Sequence, residues 1–188
     1  MVGLAGEDPQ VILWWARGKA ERMVQVSSFD LEDQVVTHLL YRVLGYRVPV
    51  LFVDTMHHFP ETLDVVEKTI DEFRLDIRVY GPRGVETRES FEAAFGDGLR
   101  ERDPRMFHEV TLEEPFARGL LDLGADAWVS GRRGGLVFEW DDGRLRVNPL
   151  ALWTRDQVWQ YVRDHRLPYN VLYDRGYHEI GEGTAVPA

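Results

Sequence analysis

One uninterrupted apolar run, Val48 to Val53 (VPVLFV), places the strongest constraint on how this chain can fold. Its length and its β-branched residues are typical of a strand that is buried on both faces, as in a parallel sheet. Three shorter segments have a similar character: Met23 to Val26, Asp76 to Tyr80 and Ala127 to Val129. Because parallel strands cannot be joined by hairpins, helices are needed between them.

Helical spacing of apolar residues separates these strands. The predicted helices cover Val11 to Met23, Leu31 to Val43, Pro60 to Phe73, Pro115 to Leu123, and a segment that follows the capping-box pair Thr154 and Gln157. Val137 to Val147 is predicted to be a hairpin that turns at Asp141-Asp142-Gly143. The stretch from Gly81 to Arg105 is predicted to be irregular, with Ser90 to Phe95 as its helical candidate, and the chain after the last helix to be loop-like as far as Ala188.

This order of elements predicts an α/β fold: a doubly wound, mostly parallel sheet with helices on both faces and a small hairpin. A chain of 188 residues corresponds to one domain, spanning residues 1–188. In such sheets, ligands bind beyond the carboxyl ends of the strands. Three polar segments follow predicted strands and are therefore the candidate site.

The net charge and the hydropathy of the chain limit the kinds of molecule that it is expected to bind. The net charge of −10 disfavours nucleic acid and acidic membrane surfaces as partners, although it allows a local basic pocket for a small anion. No apolar run is long enough to span a membrane, and Met1 to Gln10 does not resemble a signal peptide. We therefore expect a cytoplasmic protein.

The first candidate segment is Ser27-Ser28-Phe29-Asp30, which joins a strand to a helix. Backbone N–H groups at a helix start, together with serine hydroxyls, can donate to phosphate or sulfate oxygens. An equally simple interpretation is that Ser28 or Asp30 only caps the helix. The Asp30 carboxylate would also repel a bound anion.

The other two segments are Asp54 to Pro60 and Gly131 to Gly135. The adjacent His57 and His58 could ligate a metal, but neighbouring side chains project in different directions and no third ligand has a recognisable spacing, so no metal is expected. Hydrogen bonding to a ligand or to a neighbouring loop fits them better. Arg132 and Arg133, set among glycines, suit an anion with several oxygens, and a solvated surface loop is the alternative.

Taken together, these motifs resemble those of the phosphoadenylyl-sulfate reductases, with the adenylyl-sulfate reductases as close relatives. The resemblance extends from about Ile12 to Pro187 and keeps the family order. Its motifs are Val26-Ser27-Ser28-Phe29 with Glu32-Asp33-Gln34-Val35, Val53 to Thr62 (VDTMHHFPET), Glu114-Pro115 with Arg118-Gly119-Leu120, Ser130-Gly131-Arg132-Arg133, Val147-Asn148-Pro149-Leu150 with Trp153-Thr154, Leu167-Pro168-Tyr169-Asn170, and Asp174 to Gly181.

The resemblance implies an adenine nucleotide α-hydrolase-like fold and 3′-phosphoadenylyl sulfate as the ligand. Ser27, Ser28 and Phe29 would face its phosphosulfate, Asp54 and Thr55 would lie near the adenosine, and Arg132 and Arg133 would hold anionic oxygens. His57 and Gly131 complete the implied site. No metal or bound cofactor is implied. Thioredoxin or glutaredoxin would be the reductant, and a homodimer is a candidate assembly.

The departures from the family pattern concern the nucleophile. In the family, a cysteine in a carboxyl-terminal Glu-Cys-Gly tail attacks the sulfur, whereas these 188 residues contain no cysteine. The loop after Arg133 is also shorter than in the family, and the lysine that precedes the Glu-Pro pair is absent. Serine is a poor nucleophile toward sulfur, so the chain as it stands should not complete the reduction.

Two explanations for the missing cysteine stay open. The sequence could lack a mobile tail that carries it, which is the explanation we favour, or the protein could bind a nucleotide without reducing it. An adenylating transferase is disfavoured, because such enzymes carry Ser-Gly-Gly-x-Asp-Ser where this chain has Ser27-Ser28-Phe29-Asp30-Leu31-Glu32.

Overall fold

The computed structural model describes residues 6, 8–180 and 185–187, and a six-stranded sheet forms its centre. In chain order the strands are β1 (Met23–Val26), β2 (Val50–Val53), β3 (Ile77–Tyr80), β4 (Ala127–Val129), β5 (Phe138–Asp141) and β6 (Arg144–Val147). Their spatial order is β3-β2-β1-β4-β6-β5, and only β5, at one edge, is antiparallel to its neighbour. The predicted mostly parallel sheet and the hairpin are confirmed.

Helices cover both faces of the sheet, as the doubly wound prediction requires. The helices are α1 (Pro9–Arg17), α2 (Leu31–His38, continued by a π-helical turn Leu39–Val43), α3 (Pro60–Phe73), α4 (Arg88–Phe95), α5 (Leu99–Arg102), α6 (Pro104–His108, continued by a π-helical turn Glu109–Glu113), α7 (Glu114–Asp122) and α8 (Arg155–Asp164). Apolar residues of α1, α2, α3 and α8 pack into one large core against the sheet. Leu120 of α7 packs with residues of β1, β2 and β4 in a smaller core.

The β2 strand is apolar at every position because it contributes side chains to both cores. Val50 and Phe52 point into the large core, whereas Leu51 and Val53 point into the smaller one. All four side chains are buried, because alternate residues of a strand face opposite sides of the sheet. The interpretation of this segment as a doubly buried strand is therefore confirmed.

Three boundary predictions were wrong. Helix α1 ends at Arg17 rather than Met23, because Gly18 ends the helix and Met23 already pairs with Ala127 in the sheet. Ser90 to Phe95 lies within α4 and is confirmed as helical, but the rest of the stretch from Gly81 to Arg105 is not irregular, because α5 and the start of α6 follow and a small core forms from Val85, Phe91, Leu99 and Phe107. The final segment is not loop-like, since a 3₁₀ turn (Tyr173–Arg175) precedes a hairpin of β7 (Tyr177–Ile180) and β8 (Ala185–Pro187).

The strand order creates a switch point between β1 and β4. From β1 the chain adds β2 and β3 on one side, and it then crosses over to place β4 and β6 on the other side. Loops that leave β1 and β4 therefore diverge in opposite directions, and a crevice opens between them at their carboxyl ends. Ser27 to Asp30 follows β1 and Ser130 to Arg133 follows β4, so the fold brings two of the three predicted polar segments to the same crevice.

Candidate functional site

The crevice between β1 and β4 is an open cavity of about 390 Å³. Its walls come from the end of β1, the first turn of α2 and the loop after β4. The residues that line it are Val26, Ser28, Asp30, Glu32, Asp33, Ser130, Gly131, Arg132 and Arg133. Four residues predicted from the sequence to be in the site, Ser28, Gly131, Arg132 and Arg133, are therefore together here.

The loop after β1 is held in a sharp turn by its own residues. Phe29 has a positive φ of 61° and its side chain is buried, in edge-to-face contact with Phe52 of β2. Its backbone N–H donates to the buried Ser27 hydroxyl at 3.1 Å. Ser27 and Phe29 thus fix the shape of the turn, whereas Ser28 is exposed to the cavity.

Asp33 connects the two loops that form the cavity. Its Oδ2 accepts from the Ser28 backbone N–H at 2.7 Å and from the Ser28 hydroxyl at 2.9 Å. Its Oδ1 accepts from the Gly131 backbone N–H at 2.8 Å, across the crevice on the β4 side. Burial raises the pKa of Asp33, while these donors oppose the rise by favouring the carboxylate.

Gly131 is required at its position by close packing. A Cβ there would lie 2.6 Å from the backbone nitrogen of Asp33 and 2.6 Å from the carbonyl carbon of Glu32. No real side chain tolerates contacts this short, so only glycine lets the β4 loop lie against the first turn of α2.

The two arginines have different roles. Arg133 is partly buried and forms an ion pair with Glu32 of α2. Arg132 is exposed at the cavity, and among the described residues its guanidinium has no carboxylate partner. Arg132 is therefore the cation that is available to a ligand anion, and it carries the preferred fork geometry for phosphate or sulfate oxygens.

Asp30 places a second carboxyl group at the cavity. It occupies the N-cap position of α2, but its side chain accepts no hydrogen bond from the helix backbone, so the capping interpretation is wrong for this residue. Its partner is the Ser28 hydroxyl, at 3.1 Å. Burial, reinforced by repulsion from Asp33, raises the pKa of Asp30 to about 7. The group therefore changes its charge near neutral pH.

The third predicted segment, which follows β2, is organised differently. The Asp54 carboxylate accepts from the Met56 backbone N–H at 2.8 Å, and Thr55 is completely buried. The His57 ring bonds to the Thr55 carbonyl oxygen through Nδ1 at 2.7 Å, which leaves its Nε2 directed elsewhere. None of these three residues lines the crevice between β1 and β4.

His57 instead belongs to a separate cavity of about 180 Å³ beside α4 and α5. Its ring makes edge contacts with Phe91 and Phe107, with centroids 4.9 and 5.0 Å apart. His58 stacks on Phe52 at 5.2 Å. Within the described residues, no three metal-binding side chains are grouped, and aromatic packing accounts for both histidines.

Sequence reasoning missed Asp33, Glu32 and Ser130 as parts of this site. Two acidic residues in the first turn of a helix are ordinarily explained by the helix dipole, and nothing in their spacing indicates a contact with a loop about 100 residues later. The available signal was that Glu32, Asp33 and Ser130 belong to the motifs that carry the family resemblance. The link to Gly131 and Arg133 exists because β1 and β4 are neighbours in the sheet.

Comparison with known proteins shows the family. The model of the phosphoadenosine phosphosulfate reductase domain matches residues 22–185. The chain belongs to the phosphoadenosine phosphosulfate reductase family. A phosphoadenosine phosphosulfate reductase of Saccharomyces cerevisiae is 33% identical over 94% of this chain and 74% of its own length. One from Emericella nidulans is 37% identical over 93% of this chain, which spans 61% of that relative.

Solved structures agree with this assignment. The crystal structure of the Candida auris phosphoadenylyl-sulfate reductase, a phosphate complex, has a TM-score of 0.92 and 33% identity, covering 97% of this chain and 92% of that one. The Candida glabrata FMN adenylyltransferase, at 18% identity and a TM-score of 0.71 over 93% of this chain and 59% of its own, shares the fold. None of the described helices is both long enough and apolar enough to cross a bilayer.

Proposed function

We propose that this chain is the nucleotide-binding domain of a phosphoadenylyl-sulfate reductase and that it binds 3′-phosphoadenylyl sulfate in the crevice between β1 and β4. The observation that carries the proposal is Arg132, a guanidinium with no carboxylate partner among the described residues, at the rim of a cavity closed by Ser28 and Gly131. The phosphosulfate group has several anionic oxygens, which an arginine fork binds through two parallel hydrogen bonds. A phosphate complex of the similar Candida auris enzyme is consistent with this chemistry.

The proposed reaction is a two-electron reduction of the sulfur. A thiolate attacks the sulfur, the bond between the sulfur and the phosphate oxygen breaks, and adenosine 3′,5′-bisphosphate leaves. A dithiol protein, thioredoxin or glutaredoxin, then releases sulfite and becomes a disulfide. None of the 188 residues is a cysteine, so the attacking thiol has to come from outside them. The residues of the crevice bind and orient the nucleotide for that attack.

We place the adenosine near the end of β2. Strand β2 is the neighbour of β1 on the side away from β4, so Asp54 and Thr55 lie beside the serine loop at the same edge of the sheet. The buried Thr55 can contribute only its backbone there, whereas the partly exposed Asp54 retains one carboxylate oxygen beyond its bond to Met56. His57 would act at a distance, by holding this turn against Phe91 and Phe107.

A second candidate is an adenylyl-sulfate reductase, whose substrate lacks the 3′-phosphate. Three relatives carry the name adenosine 5′-phosphosulfate reductase, among them one from Geobacillus kaustophilus that is 35% identical over 91% of this chain and 75% of its own length. Isothermal calorimetry with adenosine 3′,5′-bisphosphate and with AMP separates the two candidates. Tighter binding of the bisphosphate supports the phosphoadenylyl substrate. A preference for ATP with magnesium would contradict both.

The proposed protein partner and assembly are those that the family resemblance implies. We place the protein in the cytoplasm, with thioredoxin or glutaredoxin as its protein partner and a homodimer as its candidate assembly. The net charge of −10 disfavours a nucleic-acid partner.

Arg132→Ala tests the proposal directly. We expect the affinity for adenosine 3′,5′-bisphosphate to fall about tenfold, because one charge-assisted bidentate contact is lost. The matched control is Arg105→Ala, which removes the same charge from an exposed position on α6, outside the cavity. Circular dichroism spectra should be unchanged in both variants. Equal affinities of the two variants and the unmodified protein would remove Arg132 from the site.

A further inference from the structure

We propose that Asp33 is a positioning residue of the nucleotide site, acting through Arg132; this inference rests on the proposed function. The Asp33 side chain is buried at the wall of the cavity, and both of its carboxylate oxygens already accept hydrogen bonds from the protein. Its carboxylate ties the loop after β1 to the loop after β4 and so determines where the Arg132 guanidinium stands relative to Ser28.

The geometry of the link leaves little freedom. Each carboxylate oxygen is committed to a different loop, Oδ2 to Ser28 and Oδ1 to Gly131, with N···O distances of 2.7 and 2.8 Å. Hydrogen bonds to an ionised acceptor are stronger than neutral ones, and burial strengthens them further. The missing Cβ at Gly131 lets the two segments meet at van der Waals contact, so the spacing is fixed from both sides.

The same contacts identify which groups can hold an anion. The backbone N–H groups of Ser28 and Gly131 both point at the Asp33 carboxylate, so neither is free to bind a ligand oxygen in the way of an ordinary phosphate loop. With these two backbone donors taken, the Arg132 side chain is the cationic group of the β4 loop that remains for a ligand anion. The Asp33 carboxylate thus accepts from the backbone donors of both loops, and by holding these loops it orients Arg132.

Arg132 lies between two links to α2: the bond from Gly131 to Asp33 comes directly before it, and the ion pair of Arg133 with Glu32 comes directly after it. It is the residue after Gly131, it is exposed, and its own N–H reaches only the Ser130 hydroxyl at 3.5 Å. The Ser130 hydroxyl in turn donates to the buried Asn148 at 3.1 Å, which anchors the residue before the turn. The bond from Gly131 to Asp33 is the link to the helix that the loop backbone itself makes.

A double-mutant cycle tests the proposal. Asp33→Asn keeps the shape of the side chain but presents an NH₂ group to one of the two loops, so at least one bond is lost. We expect its affinity for adenosine 3′,5′-bisphosphate to fall about tenfold. In an Arg132→Ala background the same change should have no further effect, because the residue it positions is gone. Equal losses in both backgrounds, or no loss in either, would overturn the proposal.

Thr37→Val is the control for simple destabilisation. Thr37 lies one turn further along α2, is buried, and bonds to Gln25 and to the Asp33 carbonyl oxygen without lining the cavity. It should lower the free energy of unfolding but leave the nucleotide affinity unchanged at temperatures where the protein is folded. A purely structural role for Asp33 would make the two variants behave alike, which would contradict a positioning role.

A ligand-free measurement separates this proposal from the proposed function. Nuclear magnetic resonance of the unmodified protein should show a scalar coupling between the Gly131 nitrogen and the Asp33 carboxyl carbon, and a downfield Gly131 amide proton that moves upfield in Asp33→Asn. This measurement needs only the unmodified protein, so it does not depend on whether a variant folds. Absence of the coupling overturns the proposal. If the unmodified protein binds no adenine nucleotide, the proposed function fails, and the Gly131 signals alone then decide the Asp33 link.

Discussion

At the scale of single residues, the crevice concentrates acidic groups where we propose that an anion binds. Asp30, Glu32 and Asp33 all line it, and the charge of each is compensated in a different way. Glu32 is neutralised by Arg133, and Asp33 is surrounded by hydrogen-bond donors. Asp30 has a hydrogen bond from the Ser28 hydroxyl and the nearby charge of Arg155, but burial outweighs both and raises its pKa to about 7. Its protonation therefore removes a repulsive charge from the site.

Asp30→Asn should change the pH dependence of ligand binding. Above pH 7 the Asp30 carboxylate repels the nucleotide, so we expect the variant to bind adenosine 3′,5′-bisphosphate about two- to fivefold more tightly at pH 8 and about equally at pH 6. Calorimetry at both pH values measures this, and the difference between the two proteins cancels the titration of the ligand itself. A ratio that does not vary with pH would contradict the raised pKa.

The same group has a linked effect on stability. Because the folded-state pKa of Asp30 lies above its usual value of 3.8, the folded protein holds more protons than the unfolded chain between about pH 4 and 7. The contribution of Asp30 to the free energy of unfolding therefore falls as the pH rises through this window. Asp30→Asn should remove that decline.

At the scale of elements, α2 connects the site to the packing of α8. The same helix that carries Asp33 at its start carries His38 at its end, where Nδ1 of His38 lies 2.9 Å from the hydroxyl of Tyr161. The His165 ring lies against both, with centroids 4.5 Å from His38 and 4.2 Å from Tyr161. Burial, with smaller contributions from the charges of His165 and Arg42, lowers the pKa of His38 to about 4.

His38→Gln should reduce the sensitivity of the fold to acid. Since the folded-state pKa lies below the usual 6.5, the unfolded chain binds more protons between about pH 4 and 6.5, and stability is lost as the pH falls through this window. Urea unfolding at pH 5 and pH 7.5 should therefore show a smaller difference for the variant than for the unmodified protein. The control is His108→Gln, at an exposed histidine of α6. An unchanged difference in His38→Gln would contradict the prediction.

At the scale of the whole molecule, the ligand would bridge the two halves of the sheet. The site joins loops from β1 and β4, which lie on either side of the switch point, so an occupied site needs the native arrangement of both halves. A ligand that binds only the folded state stabilises it according to its concentration relative to its dissociation constant.

Adenosine 3′,5′-bisphosphate at 100 times its dissociation constant should accordingly raise the free energy of unfolding by about 2.7 kcal/mol. Chemical denaturation with and without the nucleotide measures the increase. Arg132→Ala should show a smaller increase at the same nucleotide concentration, because less of the variant is occupied. Destabilisation by the nucleotide, or an increase that is the same for both proteins, would be inconsistent with the proposed site.

Most of the architecture could be predicted because its causes are local. The β2 run is apolar at every position, and the Thr154–Gln157 capping box forms as its sequence pattern predicts. Where prediction failed, the stabilising contacts are not neighbours in sequence. The helices between Gly81 and Arg105 are short, and they share a small core whose members range from Val85 to Phe107. The hairpin of β7 and β8 pairs Tyr177 with Pro187 and Ile180 with Ala185, which are not neighbours in sequence.

The sequence by itself determined the fold class, the edge of the sheet at which the candidate site lies, and the residue types that would receive an anion. These follow from hydrophobic periodicity and from the rule that parallel strands end together. Only the tertiary structure decided which of those residues meet. In the structure, Arg133 is ion-paired with Glu32 while Arg132 stands exposed at the crevice. His57 lines another cavity, and Asp33 accepts a hydrogen bond from Gly131. The physical reason is that strand order, not sequence distance, sets which loops touch, and that a charged side chain takes whichever partner lies within hydrogen-bond reach.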